Sequence, residues 1–455
     1  MRKFLLAGAA TVAMTGAASA AGLEPAQPSN SHNIMLRAEP GKAVVRLDGY
    51  VFVAIGAGSS TNDKATVAVG GVNRTAKLDP IGLLTTFRFF PSFDAQTTGG
   101  LRYGALAEVR TNNNTAGTGA SAGGVGGAGG RTTNTLYVNR TRGYIGGDSW
   151  GTILIGSTDG PAATLRTGLI EGQVADGGWN GWAPGLTRGV NPYRFAIGGG
   201  YEYSAQKIIY LTPNFSGFRA GISFAPSTGS SQAGEGNNLI TGAGAAQGGA
   251  SRIATTLVPF AAGAGDFDRF RNQIQVAANY ANTFGGVGVA AHVGYITSGA
   301  VKSAIPGAVG APTSARGQSI VTAGLQGSYA GFTVGGYMNT GTFNGNSSLS
   351  VAGHKNSLVW SVGAAYEMGP WAVGAHYISA STNGAFDAGR AQRFDNGVGF
   401  GITYAWAPGM RAMLEGVVGT AKERGVNLSN DTTLAAGTTK AVNASAVILA
   451  NQFRW

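Results

Sequence analysis

Apolar and polar residues alternate singly along most of this chain. Between residues 43 and 57, Val45, Leu47, Val51, Val53 and Ile55 share one phase; Arg46, Asp48, Tyr50 and Phe52 share the other. Successive side chains of a strand point to opposite faces, so the segment reads as a strand with one face in an apolar medium. The same rule places strands near 83–92, 98–111, 134–146, 150–157, 203–212, 216–226, 271–284, 286–298, 317–330, 331–340, 355–368, 370–380, 393–406, 409–420 and 441–455, which with the first makes 16. Short turns and long segments rich in Gly, Ser, Thr and Asn alternate between them. Aromatics bracket the short turns, as in Tyr329-Ala-Gly-Phe332, Tyr366-Glu-Met-Gly-Pro-Trp371 and Tyr404-Ala-Trp406. Long loops at one end, short turns at the other and an aromatic belt predict an all-β fold: an antiparallel barrel of 16 strands standing in a membrane.

Composition sharpens this picture. Of 455 residues, 77 are Gly, 43% are hydrophobic and 12% are charged. Mean hydropathy is +0.05. That value argues against a helical membrane protein, but not against a barrel, in which half of each strand faces water. The one sustained apolar run is N-terminal. Arg2 and Lys3 precede an apolar core from Phe4 to Met14, and Ala18-Ser19-Ala20 fits a cleavage site. Residues 1–20 therefore read as a cleaved signal peptide, 21–41 as an irregular periplasmic lead-in and 42–455 as the barrel. Cysteine is absent, which removes thiolate metal sites and Cys nucleophiles. The formal net charge is +11, carried by 23 Arg and 9 Lys against 21 acids. The arginines are spread over strands rather than run together. This suits fixed charge along a pore better than a nucleic-acid surface, and no nucleic acid is expected.

Val447, Leu449, Phe453 and Trp455 alternate to the last residue of the chain. An aromatic C-terminus on an alternating strand marks bacterial outer-membrane barrels, whose insertion machinery reads that end. These four residues are the expected assembly signal.

Two segments carry a family resemblance. Arg142-Gly-Tyr-Ile-Gly-Gly-Asp-Ser-Trp-Gly-Thr-Ile-Leu-Ile-Gly156 and Lys207-Ile-Ile-Tyr-Leu-Thr-Pro-Asn-Phe-Ser-Gly-Phe218 are similar to hairpins flanking the third external loop of the Gram-negative general porins, the 16-stranded trimeric type. The resemblance extends over residues 42–455. It implies a third loop folded into the pore, whose acids face an arginine wall and form a constriction. Here that loop spans about 158–202 and carries Asp159, Glu171 and Asp176, with Trp179 and Trp182 to pack it inside. The PEFGG-like signature of some members is absent, as is the acidic second loop by which some members latch subunits. The resemblance also implies a homotrimer, the lipid of an outer membrane as surroundings, and no cofactor.

Strand phase assigns Arg46, Arg88, Arg102 and Arg110 to the lumen. Arg140 and Arg142 lie nearby on a strand of ambiguous phase. An arginine on the lipid face near the midplane would cost roughly 2–4 kcal/mol, which favours the lumen. Arg46, Arg88, Arg102, Arg140 and Arg142 are the expected constriction wall. Four of the early arginines against Asp48 and Glu108 leave a local balance of +2. The third loop holds three acids and three bases (Arg166, Arg188, Arg194) and adds nothing.

Two enzyme-like motifs carry no chemistry. Gly147-Asp-Ser149-Trp-Gly151 matches G-x-S-x-G but falls in a turn between strands, not at a strand-to-helix elbow. Gly124-Val-Gly126-Gly-Ala-Gly129 lacks strand–helix context. His292 and His376 take the lumen phase and His354 lies near a loop, without metal-ligand spacing. The expected function is passive, mildly anion-preferring diffusion of small hydrophilic solutes and ions, not catalysis. The alternatives are a substrate-specific outer-membrane channel, which needs an aromatic or arginine track along the lumen, or an adhesin or structural barrel with a plugged lumen.

Overall fold

The computed structural model describes residues 38–455 apart from 62, 70–71, 78, 112–135, 171–178, 180–182, 188–189, 197–205, 228–269, 301–314, 344–348, 352, 383–391, 425, 428–431 and 434–438. The expected signal peptide and nearly all of the lead-in lie outside the described residues, as does the Gly124–Gly129 motif. Sixteen strands form a closed antiparallel barrel. They are β1 (Ala43–Ser60), β2 (Ile81–Gln96), β3 (Arg102–Thr111), β4 (Leu136–Gly147), β5 (Gly151–Ser157), β6 (Gln206–Leu211), β7 (Phe218–Ser227) and β8 (Phe270–Phe284). They continue as β9 (Val287–Ala300), β10 (Ser319–Tyr329), β11 (Phe332–Thr342), β12 (Ser357–Met368), β13 (Trp371–Thr382), β14 (Arg393–Ala407), β15 (Met410–Arg424) and β16 (Thr439–Arg454). Each pairs with the next in sequence, and β16 returns to β1 with Val51 opposite Phe453 and Ile55 opposite Leu449.

All sixteen expected strands are present, within a few residues. The first long connection differs from expectation. The strand pattern leaves a long loop between the segments at 43–57 and 83–92, but β1 runs on to Ser60, β2 begins at Ile81, and between them Lys64–Val69 pairs with Val72–Lys77 as a hairpin of its own. The short connections are tight. Ala330 (φ 48°) and Gly331 (φ 84°) form the two-residue link from β10 to β11. Positive φ at both positions gives the turn whose twist matches the flanking strands.

The outward phase is apolar and exposed, as at Val45, Leu47, Leu83, Val293, Val334 and Phe400. Aromatics cluster at the short-turn end, where Phe332 stacks on Tyr366 at 4.1 Å and Trp371 on Tyr404 at 4.2 Å between ring centroids. Val447, Leu449, Phe453 and Trp455 all point outward. Trp455 exchanges two backbone hydrogen bonds with Gly49 of β1, at 3.1 and 3.2 Å. The terminal aromatic thereby sits on the seam that closes the barrel.

The inward phase departs from the simple rule that a lumen is small or polar. On β16 it reads Val442, Ala444, Ala446, Ile448 and Ala450, all buried. Together with Phe52, Ile296, Ile320, Val359, Ile378 and Val417 they form one apolar core inside the barrel. The other half of that core is the long connection between β5 and β6. It contributes Ala162, Leu169, Trp179, Ala183, Val190, Tyr193 and Ala196. The third loop is therefore folded into the pore, and apolar burial holds it there.

Candidate functional site

Inward residues of β1 to β4 build a wall of charge that borders the apolar core, which reaches these strands at Tyr50, Phe52 and Phe90. Antiparallel pairing sets their heights. Arg102 lies lowest, paired in register with Gln96 at the short-turn end. Asp94, opposite Gly104, and Tyr144, opposite the same glycine, come next. Arg46 and Arg142 follow, in register with Ser92 and Leu106. Glu108 lies opposite Arg140, and Arg88 opposite Arg110. Inward positions on a strand are two residues apart, so these levels step by about 6.8 Å along the pore.

Carboxylates are threaded between the guanidinium groups. Arg46 pairs with Asp94 at 3.1 Å and with Asp48 at 3.3 Å. Asp94 also accepts a hydrogen bond from the Tyr144 hydroxyl. Glu108 is fully buried and meets Arg110, Arg140 at 3.2 Å and Arg88 at 3.6 Å. Asn139 donates to it as well, at 3.1 Å. Arg140 reaches on to Asp159 at the root of the third loop. The guanidinium of Arg88 lies over the Tyr50 ring, 5.7 Å from its centroid. Tyr50 in turn packs on Phe90.

The ambiguous phase of β4 has a local cause. Glu108 pairs with Arg140, but Val109 pairs with Val138, so Asn139 is an extra residue. A bulge of this kind leaves one residue unpaired and re-aims its neighbours. Leu136 and Val138 point outward; Asn139 and Arg140 are both buried; Arg142 and Tyr144 keep the inward phase.

The third loop follows the opposite wall. Gly160 lies against Gln275 on β8. The Thr167 N–H donates to Nδ1 of His292 on β9 at 3.2 Å, and the His292 ring stacks on Tyr337 of β11. Ile170 presses on Gly335 and Gly363 of β11 and β12. The Trp179 indole N–H donates to the Val398 carbonyl on β14 at 3.2 Å. The Asn191 N–H reaches Asp395 of the same strand at 3.4 Å. Leu186 ends the circuit against Gly56, Gly58 and Gly82 on β1 and β2. Glycine is required beneath it: a Cβ on Gly397 would stand 2.6 Å from the Trp179 ring, and one on Gly324 2.0 Å from the Thr167 carbonyl.

The sequence-assigned residues divide as follows. Arg46, Arg88, Arg140 and Arg142 come together on one wall, with Arg110. Arg102 shares the face but sits at the short-turn rim, bound at 2.6 Å to Asp148 of the β4–β5 turn. Asp159 lies within the arginine wall rather than across the lumen from it. Glu171, Asp176 and Trp182 lie outside the described residues. Ser149 is exposed in the turn and β5 follows it directly, so the elbow of a nucleophile is missing. His292 and His376 are buried on the inward face. Sequence reasoning missed Asp94, Tyr144, Asn139 and the buried Lys207, which donates to the Thr158 carbonyl at 2.5 Å. The inward phase of β2 and β6 marks Asp94 and Lys207. Nothing local marks Asn139, because it reaches the site only through the bulge.

The comparisons agree with this architecture. A family model described as Gram-negative porin matches residues 7–425. No curated protein sequence matches the chain. Among solved structures, the anion-selective porin from Comamonas acidovorans superposes with a TM-score of 0.51 at 16% identity, over 91% of this chain and 100% of that one. OmpT of Vibrio cholerae, an outer membrane protein solved as a loop-deletion mutant, gives 0.49 at 12% identity over 91% and 99%. At such identities the likeness is one of fold. The family match spans most of the chain, and with it the closed barrel, its outward apolar face and its folded-in loop have one reading: this chain belongs to the Gram-negative porins, the β-barrel channels of the outer membrane.

Proposed function

We propose that the protein passes small hydrophilic solutes and ions by diffusion, with a preference for anions, through the space between the arginine wall and the third loop. The charge of that wall carries the reading. Arg46, Arg88, Arg110, Arg140, Arg142 and Lys207 make six cations against the four carboxylates of Asp48, Asp94, Glu108 and Asp159; Arg102 and Asp148 offset each other at the rim. Fixed charge beside a narrow aqueous path with low-dielectric walls concentrates counter-ions there. Among the described residues of the third loop, Arg166, whose guanidinium lies over the Tyr337 ring, adds a cation of the same sign as the wall. The constriction is assigned to Arg46, Arg88, Arg140 and Arg142 with the third loop facing them, and Arg102 to the rim. A homotrimer, and an assembly signal in Val447, Leu449, Phe453 and Trp455, complete the proposal.

The arginines at successive heights also favour a second reading, a track that binds one class of anion. Planar-bilayer recording of the purified protein separates the two. Diffusion predicts conductance proportional to salt and a reversal potential on the anion side in a low-salt gradient. A binding track predicts conductance that saturates with salt. A protein without conductance is a plugged barrel, and the proposal fails.

A further inference from the structure

Glu108 is the one carboxylate of the wall whose two oxygens are both taken up by wall cations. Oε1 accepts from Arg110 Nε and stands 3.6 Å from Arg88 Nη1; Oε2 accepts from Asn139 Nδ2 at 3.1 Å and forms an ion-pair contact with Arg140 Nε at 3.2 Å. Its side chain is fully buried, while those of Arg88 and Arg110 keep 20% and 14% of their exposure. The carboxylate thus lies behind the cations, out of the solute path, yet within contact of three of them. The bulge on β4 adds to the point, since it turns both Asn139 and Arg140 towards this one group.

We infer that Glu108 sets the selectivity of the pore. It offsets one of three guanidinium charges and holds all three against the wall. This rests on the anion preference proposed above and extends it to a residue that no solute touches. The sign is the reverse of that for the arginines: removing the buried negative charge strengthens the preference for anions. Glu108→Gln keeps the volume and one acceptor oxygen, but its amide N–H groups face guanidinium donors. At least one arginine then turns its charge to the lumen.

The test is the reversal potential of Glu108→Gln in a low-salt gradient across a planar bilayer. One unit charge acting over about 7 Å of water raises an anion's local concentration about threefold and lowers a cation's by the same factor, so the anion-to-cation permeability ratio is expected to rise by roughly sevenfold. Glu108→Asp, which keeps the charge, should stay near the wild-type potential. An unchanged ratio in Glu108→Gln, or a shift towards cations, overturns the inference while leaving the pore reading intact. Arg110→Gln compared with Arg110→Gln/Glu108→Gln covers the case in which the single variant does not assemble. The double variant should be the more anion-selective, and equality of the two overturns the inference. A silent wild-type protein overturns the pore reading and this inference together.

Discussion

At the scale of single residues, position along the pore separates arginines that look alike in sequence. Arg88 stands in the charged belt over Tyr50, whereas Arg102 is held at the rim by Asp148. Arg88→Ser should therefore shift the reversal potential towards cations, and Arg102→Ser should do so far less. The difference should fade with salt, as the Debye length falls from roughly 10 Å at 0.1 M to 3 Å at 1 M. Equal shifts from the two variants would place both residues in the belt. A glycine decides a different matter. Gly397→Leu drives a side chain into the Trp179 indole, and overpacking of this kind costs about 1–3 kcal/mol. The expected results are a displaced third loop, a changed single-channel conductance and a red-shifted tryptophan emission. Wild-type conductance and emission in that variant would mean the loop does not depend on this bed.

Elements show how a strand serves two environments. β16 turns Val447, Leu449 and Phe453 to lipid and Ile448 and Ala450 to the third loop, so both of its faces are apolar. It also closes the barrel through register with β1 and through the backbone bonds of Trp455 to Gly49. Deleting Phe453 to Trp455 removes the last pairs of that seam and the terminal aromatic. Outer-membrane yield of the truncated chain should drop sharply, read as loss of heat-modifiable barrel on a gel. Undiminished yield would show that assembly does not read this end. The bulge on β4 works at the same scale: one added residue replaces a clean alternation with a pair of inward polar groups.

For the whole molecule, the barrel provides a frame and the third loop divides its interior. Loop against wall makes an apolar core, and beside it the inward residues of β1 to β4 concentrate charge. Asymmetry of that kind turns a wide barrel into a narrow path. The proposed homotrimer belongs to this scale as well. Chemical cross-linking in mild detergent should trap a species of three chains, and bilayer records should close in three equal steps. A single conductance level and a monomeric mass would sink the trimer while leaving the pore untouched.

Period-two alternation in the sequence was enough to determine the barrel, because lipid tolerates only apolar side chains on one face and every backbone group must find a partner strand. It fixed sixteen strands, the outward face of Phe453 and Trp455, and the inward face of Arg46, Arg88 and Arg110. It could not fix what lies across the lumen. An inward Ile448 and an inward Arg88 have the same phase; only the path of the third loop makes one a core residue and the other part of a charged wall. Nor could alternation foresee Asn139, whose place depends on a slip in register between two strands. Asp159 was legible as a loop acid, but its pairing with Arg140 arises because the loop starts beside β4 before it crosses. Contacts of this type join residues far apart in sequence, and their geometry exists only once the barrel has closed.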